Sequence, residues 1–336
     1  MDCIGLDIHR HYAVLARVDE KGRLLDRRRL DHEALPAYLG ALPERPRLAF
    51  EATSSWYHVC ELVEPWAEEV VLSHPLKTRL IAEAKIKTDK VDATILADLL
   101  RTDFLPRAYL APAAVRELRE LLRLRASLVR MRTMARNKVH AVLIKRGLTP
   151  PVGNVFCQKG RRWLAEIGPS LPAAYEQAIG CYLRVIDTLS EEVLSVNAEI
   201  GRRAEVSEEA GWLDTMPGVG PFTALLILAE IGDVKRFPDR RRLASYAGLV
   251  PSVHASGGRT RYGSLTRQGS PWLRWALVQA ARSAVRRPGP LQDRYVRRKH
   301  RKPEATAIVD LARFMLGCVY AMLSERRPFR SVPRGS

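Results

Sequence analysis

Residues 3–30 read CIGLDIHRHYAVLARVDEKGRLLDRRRL, and their pattern decides the fold of the first third of the chain. Cys3–Asp7 is a short apolar run, His11–Val18 is a second run rich in Ala, Val and Leu, and Arg23–Leu30 is a third candidate strand. Glu20-Lys21-Gly22 between the second and third runs is a hairpin signal, because glycine supplies the backbone angles of a tight turn. Working outward, His32–Leu42 has helical spacing, Arg47–Phe50 is a strand that ends at Glu51, and Trp56–Trp66 is helical. Val70–Leu72 is a further strand, and Thr78–Arg101 is largely helix. Three early strands followed by alternating helices and strands predict an α/β domain over residues 1–112, a mixed sheet with helices on its faces.

The rest of the chain reads differently. Ala113–Lys145 places Leu118, Leu121, Leu122, Leu128 and Met131 at helical intervals among many arginines, which suits a long amphipathic helix or coiled coil. Gly147 to Pro151 breaks it, and Tyr175–Arg203 is a second long helix. Residues 113–205 are therefore expected to form a helical, coiled-coil region, as a hairpin or a dimerisation arm. Residues 206–330 read as shorter helices interrupted by Gly and Pro. Within them, Thr215-Met216-Pro217-Gly218-Val219-Gly220-Pro221 precedes an apolar helix. The segment is like a helix–hairpin–helix, in which the amides around Gly218 and Gly220 hold a DNA phosphate; the alternative is a tight turn between two core helices. Residues 331–336 look like part of a cleavage tag.

Charge separates these regions. The 336 residues carry 55 Lys+Arg against 37 Asp+Glu, a net charge of +18. Residues 1–112 are slightly acidic, and the excess lies in the last two-thirds. A field of that sign favours phosphate polymers or an anionic membrane. No run approaches the ~18 uninterrupted apolar residues of a spanning helix. The N-terminal residues lack the basic start of a signal peptide, so a cytoplasmic, nucleoid-associated protein is expected. Five scattered cysteines give no zinc or redox pair.

Four acids stand out by placement. Asp7 ends the first strand in GLDIH, Glu51 ends a later one in LAFEAT, and Asp89 and Asp92 lie three apart in KTDKVDA, on one helix face. Clustered carboxylates repel one another unless a hard cation joins them, and Mg²⁺ takes oxygen ligands of this kind. Paired ions can stabilise both the attacking and the leaving oxygen of a phosphoryl transfer.

This set resembles that of the DEDD-type insertion-sequence transposases (insertion-sequence family one-ten), relatives of the Piv pilin-gene invertase. Their fold is RNase H-like, of the RuvC (Holliday-junction-resolvase) kind. The second half strengthens the resemblance through MPGVGPF, AEIGD followed by RF, SYAGLVP and Ser256-Gly257. The resemblance covers residues 1–112 and 206–330, with a mostly α-helical C-terminal transposase domain. It implies a DNA transposase or site-specific recombinase that exchanges strands through a covalent phosphoserine at Ser256. It further implies Mg²⁺, or Mn²⁺ in its place, held by Asp7, Glu51, Asp89 and Asp92. Donor and target DNA, a guide non-coding RNA and a homo-oligomer, dimer or tetramer, are the implied partners. Chemistry alone leaves Ser252, Ser264 and Ser270 as competitors of Ser256, and Tyr246 and Tyr262 as other nucleophiles. Relatives often carry Asn where Ser270 stands. His9 and His58, near the acids, read as packing or hydrogen-bonding residues.

Arg259 and Arg261 are placed to hold the scissile phosphate. Arg116, Arg119, Arg123, Arg130, Arg132, Arg136 and Lys138 on the long helix, with Arg294, Arg297, Arg298, Lys299, Arg301 and Lys302, are expected to neutralise phosphates. The alternative function is a metal-dependent, structure-specific DNA nuclease of the resolvase kind; a non-catalytic nucleic-acid-binding protein is a third.

Overall fold

The computed structural model describes residues 1–81, 89–256, 259–266 and 268–330. Lys87, Thr88, Gly257 and the 331–336 tail, all singled out above, lie outside the described residues, as do the side chains of Asp89, Ser256, Arg259 and Tyr262. The chain divides into two compact units, Met1–Ala111 and Pro112–Ser336.

The first unit opens with β1 (Cys3–Ile8), β2 (Tyr12–Val18) and β3 (Leu24–Asp31), which pair antiparallel in sequence order. Helix α1 (Leu35–Gly40) crosses to β4 (Arg47–Glu51), parallel to β1, and α2 (Trp56–Val63) crosses to β5 (Glu69–Ser73), parallel to β4. Helices α3 (Pro75–Ile81) and α4 (Asp89–Arg101) follow. The strand order is β3-β2-β1-β4-β5, the mixed sheet that the alternation predicts. Strands β1 and β2 are near-continuously buried because helices cover both faces at the centre. The edge strand β3 is mostly exposed and carries Arg27, Arg28 and Arg29, charges that discourage edge-to-edge pairing.

One face of the sheet packs on α1 and α2 through Ile4, Leu6, Leu48 and Phe50. The other packs on α4, where Cys3, Ala49 and Val71 meet Leu96, Ala97 and Leu100. Helix α4 comes so close that a Cβ on Gly5 would lie 2.0 Å from the Ala93 carbonyl oxygen and 2.7 Å from the Ala97 nitrogen. Any side chain there would push the helix off the sheet. At the far end, Arg47 of β4 binds Glu69 of β5 at 2.9 Å, Asp103 at 2.8 Å and the Leu100 carbonyl at 3.3 Å, which ties the end of α4 to the sheet.

The second unit begins with α5 (Ala113–Lys145), α6 (Gln158–Ile167) and α7 (Ala173–Glu205). Arg203–Glu117, Arg125–Asn197 and Arg132–Ser190 contacts run in opposite directions along α5 and α7, so the two form an antiparallel pair. Ile179, Ile186, Val193 and Ile200 are buried at seven-residue intervals along α7, a seam filled from within the same chain.

Helices α8 (Glu208–Asp214), α9 (Pro221–Ile231) and α10 (Arg240–Tyr246) come next. Strands β6 (Pro251–Ser256) and β7 (Arg259–Leu265) then form an antiparallel hairpin, and α11 (Pro271–Ala284), α12 (Pro290–Lys299) and α13 (Glu304–Glu325) complete the unit. The hairpin corrects the expectation that residues 206–330 are shorter helices interrupted by Gly and Pro. Helices α9, α11 and α13 share one core. Among the described residues α13 is the one helix long and apolar enough to cross a membrane. Its Leu311, Met315, Leu316 and Val319 lie in that core, which accounts for its composition.

Two outcomes are expected. Gly5→Ala should lower the stability of the first unit by at least about 2 kcal/mol, since its Cβ meets rigid backbone, measured by denaturant unfolding. A loss under about 0.5 kcal/mol would show that α4 is not seated on β1. Second, the hydrogen bond from Arg47 holds Asp103 below the usual carboxylate range. Burial raises Glu69, but Arg107 and Arg47 outweigh it and leave this carboxyl lowered too. Lowered carboxylates stabilise the fold fully above the ordinary carboxylate range, and that contribution is lost as pH falls through the lowered folded values. Arg47→Met should therefore flatten the acid limb of the unfolding curve while leaving its shape near neutrality unchanged.

Candidate functional site

The register of the sheet decides where the first two acids fall. Leu6 pairs with Phe50 in the last rung of the parallel β1–β4 ladder, and Asp7 and Glu51 are the residues that follow on the two strands. Strand alternation places both on the face that α4 covers, in line with Cys3, Gly5 and Ala49. Gly5 meets α4 at Ala93 and Ala97, whereas Arg47, the β4 partner of Cys3, reaches the Leu100 carbonyl further along, so α4 runs antiparallel to β1. Its N-terminal residues, Asp89 and Asp92, thus belong to the end of the sheet that carries Asp7 and Glu51. All three described carboxylates, Asp7, Glu51 and Asp92, are half-buried.

His9 Nε2 lies 3.3 Å from Asp7 Oδ2, and its ring stacks on Tyr12 with centroids 4.5 Å apart. His58 is exposed on α2. Among the described residues no three His, Cys, Asp or Glu side chains close into a metal cage, and Asp89, which opens α4, has its side chain outside that set. The donors nevertheless suit a hard divalent cation: they are carboxylate oxygens, from adjacent strands and a covering helix, brought to one end of a sheet where their charges repel.

In the second unit Ser256 is the last residue of β6, and its backbone pairs with Arg259, the first of β7; His254 pairs with Arg261. Of the rival serines, Ser252 is half-buried and Ser264 exposed. Ser270 is buried and caps α11, its Oγ accepting from the Leu273 amide at 3.0 Å.

The same Ser270 hydroxyl donates to Glu230 Oε2 at 2.7 Å. Glu230 is 3% exposed and also faces Arg123 at 3.4 Å and Arg119 at 3.8 Å. Arg119 donates to the Ala229 carbonyl at 2.9 Å, and Tyr246 donates its hydroxyl to the Glu230 carbonyl at 3.3 Å. The Ser270 amide returns a bond to the Tyr246 carbonyl, and Thr266 donates its amide to the Val250 carbonyl. Through its buried carboxylate and its carbonyl, Glu230 thereby links α5, α9, α10 and α11 around the two ends of the segment that holds the β6–β7 hairpin. The sequence places Glu230 in the AEIGD segment but gives it no role. Its signal was a lone acid in the otherwise apolar run Phe222–Ile231.

The expected basic surfaces divide. On α5, Arg116 and Arg119 are buried, Arg123 is half-buried beside Glu230, and Arg132 reaches Ser190 at 3.3 Å; these side chains hold the helices together. Arg130 and Lys138 are exposed. On α12, Arg297 and Lys299 are exposed, while Arg298 contacts Asp310 at 3.1 Å. Gly218 has φ of +90°, and a Cβ on it would lie 2.3 Å from the Ala280 carbonyl of α11, so its place in the turn is set by core packing. Gly220 begins α9 with open space around it.

Residues 4–145 match the profile of a DEDD transposase, and residues 210–297 match that of the transposase IS116/IS110/IS902 family. The first match implies an RNase H-like fold for the sheet that carries the acids. A probable family 20 transposase of Pseudomonas aeruginosa is 29% identical over 97% of this chain and 98% of its own length. The transposase for insertion sequence element IS1111A of Coxiella burnetii is 24% identical over 84% and 78%. The pilin gene-inverting protein of Moraxella bovis is 34% identical over 37% of this chain and 40% of its own length.

Glu230 and Ser270 both fall inside the second matched region. Glu230→Ala would leave two guanidinium groups without their buried carboxylate and should cost about 3–5 kcal/mol in denaturant unfolding. Glu230→Gln keeps the bond to Ser270 and should cost less. Equal and small losses, under about 1 kcal/mol each, would remove Glu230 as the centre of the unit.

Proposed function

The chain belongs to the IS110/IS116/IS902 transposase family, whose members cut and recombine DNA, and from this premise we propose how it acts. The transferred phosphoryl group passes through a covalent link to Ser256. Asp7, Glu51, Asp89 and Asp92 hold Mg²⁺, which when bound supplies charge stabilisation for the oxygens of the transferring phosphoryl group. The observation that supports the carboxylate set is the β1–β4 register with α4 seated on Gly5, which gathers its described members at one end of the sheet.

In the cutting step the Ser256 Oγ–P bond forms, the phosphodiester P–O bond breaks, the serine gives up its proton and the departing sugar oxygen gains one. A serine hydroxyl attacks only when activated, and nearby positive charge helps both the attack and the binding of the phosphate. Arg259 and Arg261 on β7 are suited to this, since their backbone lies in register with the end of β6. Rejoining reverses the step with a new sugar hydroxyl, so the bond energy is conserved. Arg130, Arg297, Arg298 and Lys299 bind backbone phosphates, with the amide of Gly220 available at the start of α9. Base pairing with a guide RNA supplies sequence, as the protein's excess charge suits reading of backbone and shape. Strand exchange between two sites calls for at least a dimer, working in the cytoplasm on the nucleoid.

Covalent trapping tests this reading. The chain is expressed with its native flanking DNA, lysed in denaturant, and protein-linked DNA is mapped by mass spectrometry. An adduct at Ser256 is expected, lost in Ser256→Ala and reduced at least a hundredfold in Asp7→Asn and Asp92→Asn. An adduct on another residue overturns the assignment of Ser256. Cut DNA without any adduct makes the chain a resolvase-like nuclease.

A further inference from the structure

Helix α13, the start of α10 and the segment that follows α13 enclose a cleft of about 450 Å³. Its wall carries Arg240, Arg294, Arg313, Arg327 and Arg330 against a single carboxylate, Asp310. Asp310 is shared between Arg298 at 3.1 Å and Arg294 at 3.7 Å, and Arg327 is paired with Glu325. Among the described residues no carboxylate pairs with Arg240, Arg313 or Arg330. The Nε of Arg294 is buried and makes no hydrogen bond. Cations gathered in so small a volume repel one another, and an anionic guest relieves that repulsion.

The rest of the wall is not polar. Phe314 lies under the Arg294 guanidinium at 4.1 Å, and Phe329, Met322 and Ala321 continue the apolar side. Arginines facing aromatic rings fit a ligand that joins a phosphate to a flat ring system, and the volume lies in the range of small-ligand pockets. Inorganic phosphate would leave the apolar side unused.

A second cleft of about 430 Å³ is lined by Arg294, Arg297, Arg298, His300 and Arg301, with no carboxylate. Arg294 belongs to both. Two cationic clefts that share a side chain suit successive phosphates of a strand, which a free mononucleotide does not have. Paired bases in a duplex are stacked inside and cannot enter such a cleft, whereas an unpaired base can be turned out onto an aromatic wall.

We propose that the α13 cleft takes one unstacked nucleotide of a single strand, its base against Phe329 and Phe314 and its phosphate among Arg240, Arg313 and Arg330. The flanking phosphates pass Arg294 toward Arg297 and Arg301. This rests on the reading of the chain as a nucleic-acid recombinase, and adds a site that the carboxylates and Ser256 do not use. The chemistry is common to DNA and RNA strands.

The full-length chain is titrated by fluorescence anisotropy against labelled single-stranded DNA, single-stranded RNA and duplex DNA of equal length across a range of salt. Arg240→Ala/Arg313→Ala, at two exposed positions, should weaken single-strand binding about tenfold or more and reduce the salt slope by about 1.4, the value for two lost phosphate contacts. Phe329→Leu, with unchanged thermal unfolding, should weaken it about fivefold or more. Duplex binding should stay within twofold for both variants. Loss for DNA alone or RNA alone supports the site and names its source. Equal loss for single strands and duplex, or an unchanged affinity in Phe329→Leu, overturns it. If the unaltered chain bound no nucleic acid, the proposed function would itself fall.

Discussion

The absence of a side chain at Gly5 is the constraint on which the first unit depends. A sheet normally holds a covering helix at a distance set by the side chains between them. Here α4 touches the backbone of β1, and the small residues Ala49, Ala93 and Ala97 let it do so. Contact at that depth fixes the helix in translation as well as in distance, because its own backbone atoms are the knobs. The consequence is chemical. Asp92 stands one residue before Ala93, and Asp7 two residues after Gly5, so the position of one carboxylate relative to the other is inherited from a packing contact. The Arg47 clamp at the opposite end of α4 guards against the remaining freedom, a swing about that contact.

The second unit solves a similar problem by the opposite means. Its hairpin cannot be fixed by burial, since β6 and β7 carry exposed residues such as Val253, Arg261 and Ser264. It is fixed at its ends, through Tyr246, Val250, Thr266 and Ser270, and these lead back to Glu230. A buried carboxylate is costly unless it is paired and hydrogen-bonded, and Glu230 has both kinds of partner. Such a network tolerates few alternatives: moving α11 by one turn would leave a charge, a hydroxyl and a helix end unsatisfied together. Buried charge here serves geometry more than stability.

These two constraints explain what the sequence revealed and what it hid. Strands β1, β4 and β5 were legible because buried strands read as apolar runs bounded by breaks, and acids at their ends stand out against that background. The hairpin β6–β7 was missed although Val253 and Ala255 alternate with polar residues before Gly257-Gly258, a turn signal that helical neighbours outweighed. In the sequence the arginines of α5 read as one run of phosphate-neutralising residues. Arg116 and Arg119 in fact lie on the stripe that continues to the buried Leu122, three residues on, so their spacing already pointed inward. Composition alone could not show it, because the partner that makes an inward arginine tolerable, Glu230, lies more than a hundred residues away.

That distinction alters what the net charge means. Counting arginines gives the field a nucleic acid meets from afar, and all of them contribute to it, buried or not. Counting contacts is another matter, since only guanidinium groups that can meet a phosphate release a counterion. Arg119 and Arg123 turn toward Glu230, and Arg132 toward α7, so α5 offers fewer contacts than its sequence suggests. On α12 and α13 the opposite holds: Asp310, Glu304 and Glu325 engage only part of a dense set, and the cationic clefts there have few carboxylates of their own. Uncompensated positive charge is therefore concentrated near the end of the described chain, while several arginines of the long helix are engaged within the fold.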